Sequence, residues 1–303
     1  MNVLKKLRKL FKIYELDGYI VPKNDEFFGE YIDERNDRLN FISLFAGSAG
    51  YGLILKKGAY LFVDGRYTLQ AQKEVNKNFK VIEIHKTKPS KILAKIDQKL
   101  KIGFDPKLLS EASLTNNFHT QKTILVPIEK NLIDKIWSGR PKAKINKFFI
   151  LNSKHTGKNY KSKVNMICKI LKKRKINKLF ITAPENLAWI LNIRGKDSKY
   201  SPLPNCHAII DSKKKITLIV NKNKINKKFR SHFKNILSYI SSSDVIKYFD
   251  SLNNKEVFLI DKFTCSFFYK KEIEKRFRCK EKIDPIYFLK AKKNKIEINN
   301  SIK

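Results

Sequence analysis

Leu4, Leu7, Phe11 and Tyr14 recur at helical spacing in NVLKKLRKLFKIYELD, with Lys and Arg between them. Residues 2–17 therefore predict an amphipathic helix. Gly18 stands where a helix C-cap is expected, and Tyr19-Ile20-Val21 opens a strand. Tyr51–Leu55 and Ala59–Val63 predict two strands joined through Lys56-Lys57-Gly58, a hairpin signature. A helix follows from about Tyr67. Then come a strand over Phe79–Ile84, a helix over Pro89–Leu100 with Pro at its start, and a short strand at Ile102-Gly103-Phe104. Ser110 is suited to cap a helix running to Phe118, and Thr123–Val126 predicts a closing strand.

The second half repeats the scheme. Tyr160, Val164, Ile167, Cys168 and Leu171 mark one helical face, and Lys178–Thr182 a strand. Pro184–Leu191 predicts a helix holding Trp189 and Ile190. Cys206–Ile210 and Ile216–Val220 form a second hairpin around Asp211-Ser212-Lys213, followed by a strand at Val257–Ile260 and a helix over Cys265–Phe277. In both halves a helix, a turn and a glycine (Gly47, Gly195) precede the hairpin. The pattern predicts duplication of one α/β unit: two homologous domains, each a mixed β-sheet flanked by helices. Residues 138–146, SGRPKAKIN, have linker composition. The expected division is 1–137, a linker at 138–146, 147–288, and a short lead-in at 289–303.

Composition adds two constraints. With 303 residues and 42% hydrophobic content, the chain is large enough for two cores. Lys plus Arg is 65 against 28 for Asp plus Glu, a net charge of +37. Such a balance suits a polyanion binder. Yet the lysines are dispersed and greatly outnumber the arginines, whose planar forks read phosphates and bases. Compositional drift toward Lys, Asn and Ile explains the balance better, and neither nucleic acid nor membrane is an expected partner. Cys168, Cys206, Cys265 and Cys279 form no C-x-x-C pair, against a disulfide framework or zinc site. No apolar run reaches transmembrane length, and the first helix lacks the apolar core and cleavage site of a signal peptide.

Two segments concentrate unusual chemistry. FISLFAGSAG at 41–50 packs Gly47 and Gly50 around Ser48 and Ala49, and LFVDGRY at 61–67 puts Asp64, Gly65, Arg66 and Tyr67 at a strand end. A glycine-rich turn can cradle phosphate, but no Lys-Ser/Thr follows and a strand stands where a helix would be needed. A constrained turn before the hairpin is the better reading. Asp64 is placed to cap the helix near Tyr67, with Gly65 clearing space for the turn. Asp25, Glu26 and Glu30 cluster early without a ligand pattern. His85, His119, His155, His207 and His232 are isolated, so no metal ligand is assigned. In the second half Trp189 reads as core. Arg66 and Arg194 occupy similar places in the two repeats, either as anchors to a neighbouring domain or subunit or as locks of their own turns.

The segments PKNDEFFGEYIDERNDRLNFISLFAGSAG, LFVDGRYTLQAQ, IGFDPKLLS, NLIDKIWSGRP, ENLAWILNIRGKDSKYSPLPNCHAII and FLKAKKNKIEI occur in order along the chain. Together they resemble the N-terminal region of Xaa-Pro aminopeptidases of the three-domain form, in the creatinase/prolidase family. The resemblance covers nearly the whole chain. It implies that Gly47, Gly50, Asp64, Gly65, Arg66, Tyr67, Trp189, Asn192, Arg194 and Gly195 are structural or interdomain motif positions. It also implies that catalysis belongs to a third, pita-bread domain, where two Asp, one His and two Glu hold two divalent metals, manganese foremost. No catalytic residue, metal ligand or cofactor is expected in this chain. It reads as a fragment ending in the lead-in to that domain, inactive alone, from a cytoplasmic hydrolase that is a homodimer and acts on peptides with proline second. The rival reading is a non-enzymatic basic binding module for an acidic protein or nucleic acid.

Overall fold

The computed structural model describes residues 3–302. Met1, Asn2 and Lys303, which end the predicted first helix and the lead-in, lie outside the described residues. The chain divides into two compact units, residues 1–143 and 144–303.

Unit 1 begins with α1 (Val3–Ile13), whose Leu4, Leu7 and Phe11 are buried as their spacing predicts. β1 (Gly18–Pro22) follows, then α2 (Arg38–Ser43), β2 (Tyr51–Leu55), β3 (Ala59–Val63), α3 (Thr68–Glu74) and β4 (Lys80–Glu83). The unit closes with α4 (Pro89–Ala94), β5 (Leu100–Phe104), α5 (Glu111–Phe118), β6 (Thr123–Pro127) and α6 (Leu132–Ile136). The six strands are ordered β4-β3-β2-β1-β5-β6. β2 alone runs antiparallel to its neighbours. Every residue of β1 is buried, as a central strand covered on both faces must be. Tyr19 and Val21 pack with α1, α2 and α6 in one core.

Unit 2 opens with β7 (Phe149–Ile150), α7 (Ser153–Thr156), α8 (Tyr160–Lys173), β8 (Lys178–Ile181), α9 (Pro184–Ile190) and β9 (Ile193–Arg194). The hairpin β10 (His207–Asp211) and β11 (Ile216–Ile219) leads to α10 (Lys227–His232), β12 (Leu237–Ile240) and α11 (Val245–Asp250). β13 (Val257–Ile260), α12 (Phe267–Glu274), β14 (Arg278–Glu281), α13 (Pro285–Ala291) and α14 (Lys295–Ile302) complete it. The main sheet is β12-β11-β10-β8-β13-β14, with β7 and β9 paired separately. Side chains alternate across it. Leu179 and Ile181 enter one core with α8 and α9, and Phe180 enters a second core with α11 and α12.

The two sheets have one topology. Taking strands in chain order within each unit, both read fourth, third, second, first, fifth, sixth, with only the second antiparallel. Local chemistry repeats too. Glu15 and Lys175 both take φ of 51° just after the first long helix. Asp17 N–H donates to the Lys101 carbonyl and Asn177 N–H to that of Val257. The side chains of Asp17 and Asn177 accept from the Lys101 and Val257 N–H groups in return. Ser110 caps α5 as Ser266 caps α12. Asn131 caps α6 and bonds Asp105, while Asp284 caps α13 and bonds Asp261. Sequence-distant turns sharing this bonding are the mark of a duplicated unit.

Some local expectations change. Gly18 is not a helix cap: it is the first residue of β1, where a Cβ would stand 2.8 Å from the Ile54 carbonyl oxygen. Its role is close approach within the sheet. The helix from Pro89 stops at Ala94, because Leu100 is needed in β5. Arg66 and Arg194 are not equivalent. Arg66 follows the third strand of its sheet, whereas Arg194 precedes the second. The topological counterpart of Asp64-Gly65-Arg66 is Asn221-Lys222-Asn223, where Asn221 caps a 3-10 turn as Asp64 does.

The segment 138–146 is pinned at its start. Trp137 stacks on Phe41 at 4.5 Å, Arg140 pairs with Asp134 at 2.7 Å, and Arg35 donates to the Pro141 carbonyl at 2.6 Å. Limited trypsin digestion is therefore expected to cut first at Lys142, Lys144 or Lys147 and to release two folded fragments, which mass spectrometry identifies. First cuts within β2–β3 or β8–β11 would refute independent units.

Candidate functional site

In each unit the parallel strands end on one edge of the sheet, where open α/β sheets gather functional groups. In unit 1 that edge carries Gly47, Gly50 and the 64–67 turn. Gly47 lies under the Phe45 ring: a Cβ would be 2.2 Å from Phe45 Cζ. At Gly50 a Cβ would be 2.9 Å from the Phe62 carbonyl oxygen. Both glycines thus serve close packing before the hairpin. Tyr67 binds the turn together, its hydroxyl 2.7 Å from Ser48 Oγ and its ring edge-on to Phe45.

Asp64 caps the 3-10 turn Gly65–Tyr67, accepting from Arg66 N–H at 2.9 Å, ahead of α3. The Arg66 guanidinium closes back on the same carboxylate, with Nη2 2.7 Å from Oδ2. This bond, first among the causes, holds the Asp64 carboxyl below its ordinary range. Gly65 differs from expectation. A Cβ there would come no nearer than 3.7 Å to Glu83 Oε1, and its φ is not positive, so a side chain has room. Asp64→Ala should cost unit 1 about 1 kcal/mol, the worth of a lost cap, and leave the unit 2 transition in place. Gly65→Ala should change stability by less than about 0.5 kcal/mol. Calorimetry reads both; an Asp64→Ala protein as stable as the parent would remove the capping role.

Between this turn and β5 lies a charged cluster that sequence reading did not assemble. Arg38 is 3% exposed and forks onto Asp134 at 2.8 and 2.9 Å. Glu26 lies 3.6 Å from Arg38, and Lys23 meets Asp37 at 2.5 Å. Asp25 is buried, accepting from Phe27 N–H, and desolvation with the Glu26 charge pushes its carboxyl up to about 6. Burial likewise raises Asp105, which Asn131 holds at 2.8 Å. Asp25 and Glu26 had stood out only as loop acids, since Arg38 and Asp134 lie 96 positions apart.

The unit 2 edge carries a second constellation. Gly195 is required sterically, as a Cβ would sit 2.7 Å from the Leu203 carbonyl oxygen. Arg194 donates to the Ala188 and Ile193 carbonyls at the end of α9. Burial lowers its pKa. Asn192, at φ of 54°, accepts from Lys163 Nζ at 2.7 Å and donates to the Lys158 carbonyl. Trp189 is half-buried against the core rather than enclosed by it. Lys163 Nζ lies 4.2 Å from its ring centroid, and its Nε1 donates to Glu297 at 3.1 Å. Lys163 is 1% exposed, and desolvation lowers its pKa to about 8. No sequence signal marked it among so many lysines.

These arrangements join helices and turns. The clustered acids of unit 1 are engaged by Lys23, Arg38 and Arg140, by the Asn131 amide and by backbone donors. Among the described residues no group of three or more His, Cys, Asp or Glu could hold a metal ion. His207 packs edge-on to the Phe180 and Tyr269 rings with Nδ1 3.2 Å from the Thr182 carbonyl, and burial pushes it down to about 4. The four cysteines are free thiols. No described helix is long and apolar enough to cross a membrane.

Two family models, both described as the creatinase/prolidase N-terminal domain, match residues 4–134 and 139–297. The chain belongs to that family, with one such domain in each unit. Its similarity is to Xaa-Pro aminopeptidases within it. It is 30% identical to Xaa-Pro aminopeptidase 1 of Dictyostelium discoideum across 97% of this chain and 49% of that protein. It is 34% identical to a protein of Coprinopsis cinerea named as a probable Xaa-Pro aminopeptidase P, across 76% of this chain and 38% of that one. The crystal structure of the Caenorhabditis elegans X-prolyl aminopeptidase, described as a cytosolic enzyme with a di-nuclear active site, superposes with a TM-score of 0.89 at 25% identity. That match covers 98% of this chain and 52% of the other. The chain thus spans about a third to a half of the length of the relatives it matches.

Proposed function

We propose that this chain is the non-catalytic N-terminal region of a cytosolic, metal-dependent Xaa-Pro aminopeptidase, an enzyme that removes the N-terminal residue preceding proline. In this reading it assists assembly of a homodimer and shapes peptide access to the catalytic region. The observation carrying it is the superposition of 98% of the chain on 52% of an X-prolyl aminopeptidase. The described residues do not fit the family's pair of divalent metals, manganese foremost, because they offer no ligand group. No step of peptide hydrolysis is therefore assigned to them. What they supply is shape: two sheets whose strand-end edges are fixed by Gly47, Gly50 and Asp64 in one unit and by Trp189, Arg194 and Gly195 in the other.

A chimera tests this role. Residues 1–303 fused to the remaining half of the Caenorhabditis elegans enzyme should hydrolyse Xaa-Pro peptides as a dimer. That half alone should lose activity, assembly or both. A half equally active and dimeric without either N-terminal region would contradict an accessory role.

A further inference from the structure

Helix α14 has no buried side chain. A helix of eight residues is too short to persist alone in water. Ile296 and Ile298 are only partly covered, and the specific contacts that place the helix are polar. Asn294 Oδ1 accepts from the Ile296 and Glu297 N–H groups, and Glu297 Oε2 accepts from Asn294 N–H at 2.9 Å, a reciprocal capping box. The other Glu297 oxygen takes the Trp189 Nε1–H. Asn294 Nδ2 donates to the Thr156 carbonyl at 3.0 Å, and Asn300 Nδ2 to that of His155 at 3.1 Å. Gly157, at φ of 66°, lets this approach happen, since a Cβ there would lie 2.1 Å from Asn294 Oδ1.

The receiving side is braced by its own contacts. Lys163 Nζ holds the Trp189 carbonyl at 3.0 Å and Asn192 Oδ1 at 2.7 Å while lying over the Trp189 ring. The indole is thus fixed from α8 before it reaches Glu297.

We propose that the surface made by His155–Gly157 and the Lys163–Trp189 pair is a docking surface for α14, with Trp189 as the positioning residue that sets the direction in which the polypeptide leaves unit 2. Any region following in the chain inherits that direction. Only this last point rests on the reading as an aminopeptidase N-terminal region; the docking itself stands apart from it.

Amide and indole hydrogen exchange by NMR on the whole chain tests the docking. The chain has two Trp, so two indole N–H signals are to be assigned. Trp189→Phe keeps an aromatic face for Lys163 and leaves the capping box intact, but removes the donor to Glu297. It should speed exchange of the α14 amides by about tenfold or more, the worth of one charge-assisted hydrogen bond, with the unit 2 sheet unchanged. Glu297→Ala should do the same and also deprotect the Trp189 indole. Glu297→Gln, which keeps one acceptor oxygen for two donors and loses the charge, should fall between the parent and Glu297→Ala. Unchanged α14 exchange in both Trp189→Phe and Glu297→Ala, or α14 amides unprotected in the parent, would overturn the proposal. Neither result would bear on the chimera's activity.

Discussion

Asp284→Asn is expected to stabilise unit 2 at pH 7.5 by about 3 kcal/mol, and by less than about 1 kcal/mol at pH 4. Asp284 is 2% exposed, and desolvation raises its carboxyl from the ordinary 3.8 to about 6. Below pH 4 folded and unfolded states are both protonated, and the group contributes nothing to the difference. Between about 4 and 6 the folded state binds more protons, so stability falls as pH rises. Above 6 both states are ionised and the full cost of a buried charge remains, about 3 kcal/mol for a carboxyl raised this far. Asn keeps the shape. Its carbonyl can accept from Ile286 N–H as Asp284 Oδ1 does. Its amide would face Asn186, whose own Oδ1 is buried without a partner, so that a flip of Asn186 supplies an acceptor. Asp25, also raised to about 6 by desolvation first, predicts the same pH profile for Asp25→Asn in unit 1. Denaturant titrations across this pH range measure the difference. An advantage independent of pH would show that these carboxyls are not perturbed by burial.

Arg38→Met should destabilise unit 1 by about 3 kcal/mol, the scale for breaking a buried ion pair. The guanidinium makes two parallel bonds to Asp134, lies near Glu26, and lowers the pKa of Asp25 and Asp105. Its loss leaves several acids close together. Asp134 keeps Arg140 at 2.7 Å, which holds the effect to the lower part of the range. Arg38→Lys should recover less than half, because one ammonium cannot replace a planar fork. Calorimetry that finds the Met variant as stable as the parent would make this cluster incidental to the fold.

Much of the fold was legible in the chain because its central strands are apolar runs bounded by turns. YGLIL and AYLFV in unit 1 and HAIID and ITLI in unit 2 need little context to be recognised, and both hairpins follow from them. The edges were not. β14 reads RCKE and β12 reads LSYI, with mostly exposed or half-exposed positions that show no clean alternation. The motif turns were visible as residues but not as geometry. Gly47, Gly50 and Gly195 proved to be close approaches, whereas Gly65 has room to spare and Gly18 opens a strand. The contacts that organise the unit 2 constellation were invisible. Lys163 and Glu297 meet Trp189 across 26 and 108 positions, and nothing local distinguishes either residue.

In the proposed reading peptide hydrolysis does not reside in these residues. Purified chain should be assayed on an Xaa-Pro peptide with Mn²⁺, Co²⁺ and Zn²⁺ in turn. Release of the N-terminal residue is expected to stay at the protein-free background with each metal. Turnover that scales with the chain across preparations and is abolished by a chelator would contradict the account.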